Sequence, residues 1–277
     1  FTGRHLIKAA QAAGYETLEL TADLTDRDAL RAELSGQPID RVLHLAAISA
    51  VTHDDEMALY NVNLFGTLNL LETLRDELDT QPRVVVASSA NIYGNAAGSP
   101  IAEDTPPAPV NHYAMSKLAT EAVVRFQALS LGLPTLIARL DVAYGEHGHG
   151  GVPMVLVDFM KNGWPYQRKA GSESYCSPIY QDDITAQVQG LLEHAAVPAP
   201  VVNLGGDEPV SVEQMAAYIE EITGLSLTTT EGDHAMWQMK ILDNEKRKAM
   251  AGPCQYGWQE GIRAALAKRF PDLELKA

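Results

Sequence analysis

Cysteine is nearly absent: Cys176 and Cys254 are the only two in 277 residues. They stand 78 positions apart, neither the close spacing of a zinc knuckle nor the density of a secreted disulfide scaffold, and a cytoplasmic, reducing setting is expected. Long apolar runs are missing as well. No stretch approaches the ~18 residues of a membrane span, and no basic-then-apolar leader precedes the first helical pattern, so neither a membrane nor an export role is expected. Positive charge is scarce, with 21 Lys and Arg against 36 Asp and Glu and a formal charge of −15. Without a basic cluster, such a chain is a poor partner for a nucleic-acid backbone or an anionic lipid surface. Repeats and low-complexity tracts are also lacking. What remains is a globular composition, 46% hydrophobic and 21% charged, long enough for a large domain with a smaller lobe that fold by burial alone.

Apolar patterns follow one another in a regular order. Residues 4–13 have helical spacing, stopped by Gly14, and ETLEL at 16–20 has the character of a strand. The order repeats: a helix through DRDALRAEL, a strand RVLHLAA at 41–47, a long helix at about 56–78, a buried strand at 83–88, a helix at about 112–130 and a strand PTLIARL, then a Gly-rich loop at 145–151. Short Val- and Leu-rich strands alternating with helices predict an α/β fold, a doubly wound parallel sheet of the Rossmann type whose ligands sit beyond the carboxyl ends of the strands. After 145 the pattern loosens into helices at about 153–162, 182–194, 211–223 and 257–268, with a strand at 201–205. The expected division is a dinucleotide-binding domain of 1–142 and 177–204, with a substrate-binding lobe of 143–176 and 205–277.

A nucleotide domain of this type opens with a strand and a Gly-rich turn, whereas FTGRHL already has the character of a helix start. The expectation is that a strand and a G-x-x-G turn come before it. Gly3 would then be the last glycine of a phosphate loop, where backbone amides and the helix dipole meet a pyrophosphate; a plain N-terminal glycine explains it equally well. In YAMSK, Tyr113 and Lys117 stand four apart at a helix start, hence one turn apart on one face. A neighbouring ammonium lowers the pKa of a phenol, so this pair has the makings of an acid–base catalyst, or else of an exposed surface pair. Upstream, VVVASSANIYG runs a buried strand into Ser88 and Ser89, the strand end where this fold puts its chemistry; a merely polar strand end is the alternative.

With HLAA at 44–47, NVNLFGTLNLLE at 61–72, SSANIYG at 88–94 and YAMSK at 113–117 in that order, the sequence resembles the extended short-chain dehydrogenase/reductases, the family of nucleotide-sugar epimerases, dehydratases and ketoreductases. The resemblance implies a catalytic triad of Ser89, Tyr113 and Lys117, the last two also touching the cofactor, which is NAD or NADP. It further implies that Gly3, Asp23, Leu24, Leu45, Ala46, Ala47 and Asn63 serve the cofactor, Asn63 by supporting the active-site geometry. Asp23 has a second reading as a helix cap for DRDAL. Substrate contacts fall to Ser89, Ala90, Asn91 and Tyr175, with no metal. A homodimer through the helices at about 56–78 and 112–130 is implied too.

Departures from the family pattern narrow the activity. Dehydratases carry an Asp-Glu pair after the catalytic hydroxyl; here those positions hold Ala90 and Asn91, which cannot shuttle protons. Thr21, with Glu19 before it, ends the second strand without a clear ribose or 2′-phosphate partner, so NAD and NADP both stand. Val142 replaces an Asn, and Cys176 replaces an Arg, that often grip the substrate's diphosphate. SPIYQDD and ADLTD look instead like the deoxysugar reductases. Near the Gly-rich loop, His147, His149 and Glu146 have a spacing suggestive of a metal, although mobile lid residues are the plainer reading. Trp164, Tyr166, Arg168 and Tyr175 are candidates to grip a base or sugar, or to pack the lobe, and DNEKRK reads as a solvated helix face. The leading expectation is NAD(P)-dependent reduction of a nucleotide-linked 4-keto sugar. A nucleotide-sugar 4-epimerase is the alternative, followed by a non-catalytic dinucleotide-binding subunit.

Overall fold

Strands buried on both faces organise the molecule, seen here in a computed structural model that describes residues 2–276 except 50–52, 95, 97, 148–149, 172 and 234–239. Helices α1 (Thr2–Ala12) and α2 (Arg27–Leu34) precede strand β1 (Arg41–His44) and a helical rod of α3 (Glu56–Tyr60), a π turn (Asn61–Gly66) and α4 (Thr67–Glu77). Strand β2 (Arg83–Ser89) passes through a 3-10 turn (Ala90–Tyr93) to α5 (His112–Leu131) and β3 (Thr135–Leu140). There follow β4 (Ala143–Tyr144), α6 (Gly151–Asn162), β5 (Tyr166–Lys169), β6 (Tyr175–Cys176), β7 (Ile179–Tyr180), α7 (Gln181–Leu192) and β8 (Val201–Leu204). Beyond these lie β9 (Val210–Ser211), α8 (Val212–Thr223), β10 (Thr229–Gly232), α9 (Glu245–Ala251) and α10 (Trp258–Arg269).

The central sheet has the order β1-β2-β3-β8 and is parallel throughout, with Ser89 opposite Leu140 and Leu140 opposite Leu204. Alternation along the strands sends Val84, Val86 and Ile137 to one face, where Leu30, Leu70, Leu74 and Val124 of α2, α4 and α5 cover them. Val85, Leu136, Ala138 and Val202 point to the other face, against Leu6 of α1 and Ile184, Val188 and Leu191 of α7. This is a Rossmann-like α/β layering. A separate core joins Met154 and Val157 of α6, Met215 and Ile219 of α8 and Ile262 and Leu266 of α10, forming a smaller lobe beside the carboxyl end of the sheet.

Four elements differ from the sequence expectation. Segment 16–20 forms no strand: among the described residues β1 pairs only with β2, the cleft runs between 15–20 and β1, and the Thr21 and Ala22 amides donate instead to the Glu33 carboxylate at 2.9 and 2.8 Å. A strand exists only where a neighbouring ladder lies within hydrogen-bonding reach. The strand expected over 41–47 ends at His44, and the long helix is continuous only by way of the π turn. The DNEKRK helix is not solvated all round, because Arg247 is fully buried, donating to Asp207, to the Gln187 side chain and to the Gly252 carbonyl.

Candidate active site

A cleft of about 1710 Å³ runs along β1, past residues 37–43, and opens over the carboxyl ends of β1, β2 and β3. Ser89, the last residue of β2, caps the 3-10 turn: its hydroxyl accepts from the Asn91 backbone N–H and from Asn91 Nδ2, each at 3.2 Å. Tyr113 faces it from the first turn of α5, a turn started by Asn111, whose side chain accepts from the Ala114 amide at 2.8 Å. The Ser89 hydroxyl is near enough to Tyr113 to act on its phenol. One turn further along α5, Lys117 Nζ donates to the Ala87 carbonyl of β2 at 2.7 Å, tying helix to strand. All three side chains are at most 8% exposed and line the cleft.

Burial governs the protonation of this group. It raises the Tyr113 phenol above its usual 10.0, the Ser89 hydroxyl opposing, and it lowers Lys117 to about 8, with Glu121 opposing. The expected lowering of Tyr113 by Lys117 is not found: burial sets the direction, and the group that opposes it is Ser89. Below β1, His44 is held neutral, its pKa lowered to about 3 by burial and by the Lys117 charge. Thr67 gives its proton to the Asn63 carbonyl at 2.6 Å, so His44 Nε2 is the donor in its 2.8 Å bond to the Thr67 hydroxyl.

The N-V-N-L-F-G-T run makes the π turn, which frees the Asn63 carbonyl from its helical partner. The hydroxyls of Thr67 and Thr120 take it over. With its side chain Asn63 clamps the Ile48 backbone, accepting from the amide at 2.8 Å and donating to the carbonyl at 3.1 Å. It also donates to the Ser116 hydroxyl at 3.1 Å, and Ser116 in turn donates to the Tyr113 carbonyl at 2.8 Å. Asn63 thus joins the chain leaving β1 to the first turn of α5. Gly66 ends the π turn where a Cβ would lie 2.7 Å from the Leu24 Cβ, so only glycine lets the Asp23–Leu24 segment come this close.

Of the residues singled out in the sequence, Gly3, Leu24, Leu45, Ala46, Ala47, Ser89, Ala90, Asn91, Tyr113 and Lys117 line the cleft, as does Val142. Three others do not. Asp23 is turned onto Thr25, its carboxylate accepting from that residue's amide and hydroxyl, both at 2.8 Å. The cap of α2 is Asp26, not Asp23. Asn63 is buried behind the wall in the clamp just described. Tyr175 lies in β6, paired with β9, and its hydroxyl donates to Glu173 at 2.6 Å.

Among the other candidates, Cys176 is buried in the lobe core, Tyr166 is buried against α8, Trp164 meets Phe159 edge-on and Arg168 pairs with Glu231 at 2.6 Å. His149 lies outside the described residues, and among those described no three His, Cys, Asp or Glu side chains gather as a metal site. Sequence reasoning gave no role to Asp141, which lines the cleft one residue beyond Leu140. The Ser177 amide donates to its carboxylate at 2.7 Å, yet burial pushes the carboxyl up to about 7. An acidic residue at the end of a buried strand, in ARLDV, was the available signal.

A family model described as the NAD dependent epimerase/dehydratase family matches residues 1–163. GDP-6-deoxy-D-talose 4-dehydrogenase of Aggregatibacter actinomycetemcomitans is 32% identical over 145 residues, 52% of this chain and 49% of the relative, so the match spans about half of that protein's length. Among solved structures, the UDP-glucose 4-epimerase of Thermotoga maritima with UDP-glucose superposes with a TM-score of 0.86 at 22% identity, covering 99% of this chain and 97% of the other. The structure of RMD from Pseudomonas aeruginosa with NADPH gives 0.82 at 24% identity, covering 99% and 96%. Both of these structural likenesses speak for the fold alone.

Proposed function

The chain belongs to the NAD dependent epimerase/dehydratase family, and from that premise we propose that it reduces the ketone of a nucleotide-linked 4-keto deoxysugar with NADH or NADPH. The observation that carries the reading is the buried group of Ser89, Tyr113 and Lys117 on the cleft wall. Burial raises the Tyr113 phenol, and a protonated phenol beside Ser89 is a proton donor ready for a carbonyl oxygen. Ala90 and Asn91 offer no carboxyl pair for eliminating water. The Aggregatibacter relative is named for a dehydrogenase acting at position 4 of a GDP-linked deoxysugar, which supports the substrate class.

A dinucleotide suits the residues present. Leu45, Ala46 and Ala47 form an apolar wall, Gly3 leaves open space at its Cα, and Lys117 has committed one of its three N–H donors to Ala87. In this reading residues 1–142 and 177–204 hold the dinucleotide, with Leu24 rather than Asp23 on the adenine side, while 143–176 and 205–277 close over the substrate. NAD(P)H, when bound, supplies the hydride that adds to the carbonyl carbon and is itself oxidised to NAD(P)⁺. Ser89 orients the carbonyl oxygen by a hydrogen bond. Tyr113 passes its proton to that oxygen, and the Lys117 ammonium offsets the negative charge left on the phenolate before water reprotonates it. Asn63 keeps the Tyr113 turn in place.

Two features of the assembly complete the proposal. Met57, Phe65, Met115, Phe126 and Leu129 stand exposed along the α3–α4 rod and α5, and a homodimer formed there would cover them. A cytoplasmic setting accords with Cys176 and Cys254, both free.

The test incubates the full-length protein with dTDP- or GDP-4-keto-6-deoxyhexose and NAD(P)H, and separately with UDP-hexoses. Cofactor oxidation in step with a gain of two hydrogens supports reduction. The second reading, a 4-epimerase, uses the same three side chains in both directions and is an activity that the family's description names. Interconversion of UDP-glucose and UDP-galactose without net cofactor use would establish it and reject the first.

A further inference from the structure

A charged network lies beneath the site, and the reaction just described makes no use of it. Glu121 sits one turn beyond Lys117 on α5 and is 2% exposed. Its carboxylate is gripped on both oxygens: Arg139 of β3 donates Nε to Oε1 at 3.0 Å and a terminal nitrogen to Oε2 at 2.8 Å, and the Ser88 hydroxyl donates to Oε1 at 2.6 Å. Arg139, also 2% exposed, donates further to the Tyr93 hydroxyl at 2.8 Å and to the Glu103 carbonyl at 2.9 Å. Tyr93 passes its own proton to Asn203 of β8 at 2.7 Å. The network therefore spans α5, β2, β3, β8 and the 3-10 turn. A buried ion pair is a costly way to fill a core, since apolar residues of similar volume often serve stability as well or better.

We propose that Glu121 is a positioning residue of the site, a carboxylate locked by Arg139 and Ser88 that sustains the Lys117 ammonium from one helical turn away. The geometry has two consequences. Ser88 is fixed by the same carboxylate, so the strand end carrying Ser89 and the helix carrying Tyr113 and Lys117 are pinned to one anchor. The second is electrostatic. Burial favours neutral Lys117, and Glu121 is the group that opposes it. The other titratable neighbours do not help: His44 of β1 is neutral, Tyr113 of α5 and Tyr93 of the 3-10 turn are held as phenols by burial, Arg139 of β3 is a cation already bound to Glu121, and Asp141, one residue beyond β3, has its carboxyl pushed up to about 7 by burial and does not act on Lys117. Arg125, 3.7 Å from Glu121, is half exposed and screened by water.

The inference rests on the reading of Tyr113 and Lys117 as a working pair, but its test reads Lys117 without any substrate, so the two can fail separately. Lys117, 6% exposed, lines the cleft, the side from which a small reagent approaches it. Competitive acetylation with acetic anhydride across a pH series, read by mass spectrometry of the peptide carrying Lys117, gives the midpoint of its deprotonation. In the unaltered protein that midpoint is expected at about 8. Glu121→Gln keeps the shape and removes the charge, and is expected to lower the midpoint by about one pH unit or more. Glu121→Asp keeps the charge and is expected to fall between the two. Thermal melts and circular dichroism show whether each variant is folded. If Glu121→Gln does not fold, Glu121→Asp decides alone, a lowered midpoint supporting the proposal. An unmoved Lys117 midpoint in the folded variants would overturn it and leave Glu121 a purely structural residue.

Discussion

Asp141 offers a test of the site's electrostatics that needs no ligand. Its carboxyl is pushed from the ordinary 3.8 up to about 7 because ionising it means burying a charge in the cleft wall, and the backbone N–H groups of Ser177 and Val142 only partly compensate. The folded protein therefore holds this proton over a range where the unfolded chain has lost it, so the contribution of Asp141 to stability falls as pH rises from about 3.8 to about 7 and is constant above. At 1.36 kcal/mol for each tenfold change in proton affinity, the full destabilisation is about 4 kcal/mol above pH 7, and about 2 kcal/mol at about pH 5.5. Asp141→Asn removes the titration while keeping an oxygen to accept from Ser177. Its melting temperature relative to the unaltered protein should thus rise between about pH 5.5 and about pH 8.5 by the equivalent of about 2 kcal/mol, or several degrees for a chain of this size. Any fixed cost of seating the new amide is the same at both pH values and cancels. An offset between the two proteins that does not change with pH would refute the reasoning.

Other consequences are open to direct measurement. Tyr113→Phe deletes only the transferable proton, so turnover should fall by roughly 10²-fold or more while NAD(P)H affinity, by fluorescence titration, stays nearly unchanged. Lys117→Met should impair both; equal cofactor affinity in the two variants would count against the roles given to them. Gly94→Ala, at φ +44° with its new methyl driven into the Ala108 carbonyl, should destabilise the fold by more than about 2 kcal/mol in a thermal or denaturant melt. Phe126→Glu places a charge in the exposed patch of Phe126 (65% exposed) and Leu129 (60%), and should convert a dimer to a monomer by light scattering at micromolar concentration. A monomer before mutation would reject the dimer.

The sheet was legible because its strands are buried on both faces: VVVASS and TLIARL are nearly continuous apolar runs, and the helices between them keep a 3.6-residue period. ETLEL has the alternation of a half-buried strand, but pairing depends on a neighbour's edge and not on the segment's own residues. The cleft residues Ser89, Tyr113 and Lys117 were legible through the strand end and the four-residue spacing. What the spacing did not carry was their environment, since the depth of burial that sets the protonation of Tyr113 and Lys117 comes from the whole fold. The same holds for Asn63, whose side chain reaches Ile48 and Ser116 only because the helix widens into a π turn. Asp23 and Tyr175 lie off the cleft lining for a local reason: each bonds to a partner two residues away, Thr25 and Glu173. Arg139, Glu121 and Arg247 are charged residues whose burial no local pattern announces.

The central step of the proposed reaction is one transfer, a hydride moving from the nicotinamide to the sugar carbonyl carbon while Tyr113 protonates the oxygen. The measurement is to supply NAD(P)H carrying deuterium at both C4 positions, together with dTDP- or GDP-4-keto-6-deoxyhexose, and to follow cofactor absorbance and product mass together. One deuterium is expected in each product molecule, on the new carbinol carbon, matched one for one by oxidised cofactor, with both signals lost in Tyr113→Phe. Deuterium absent from the product, or a sugar that changes configuration with no cofactor consumed, would contradict it.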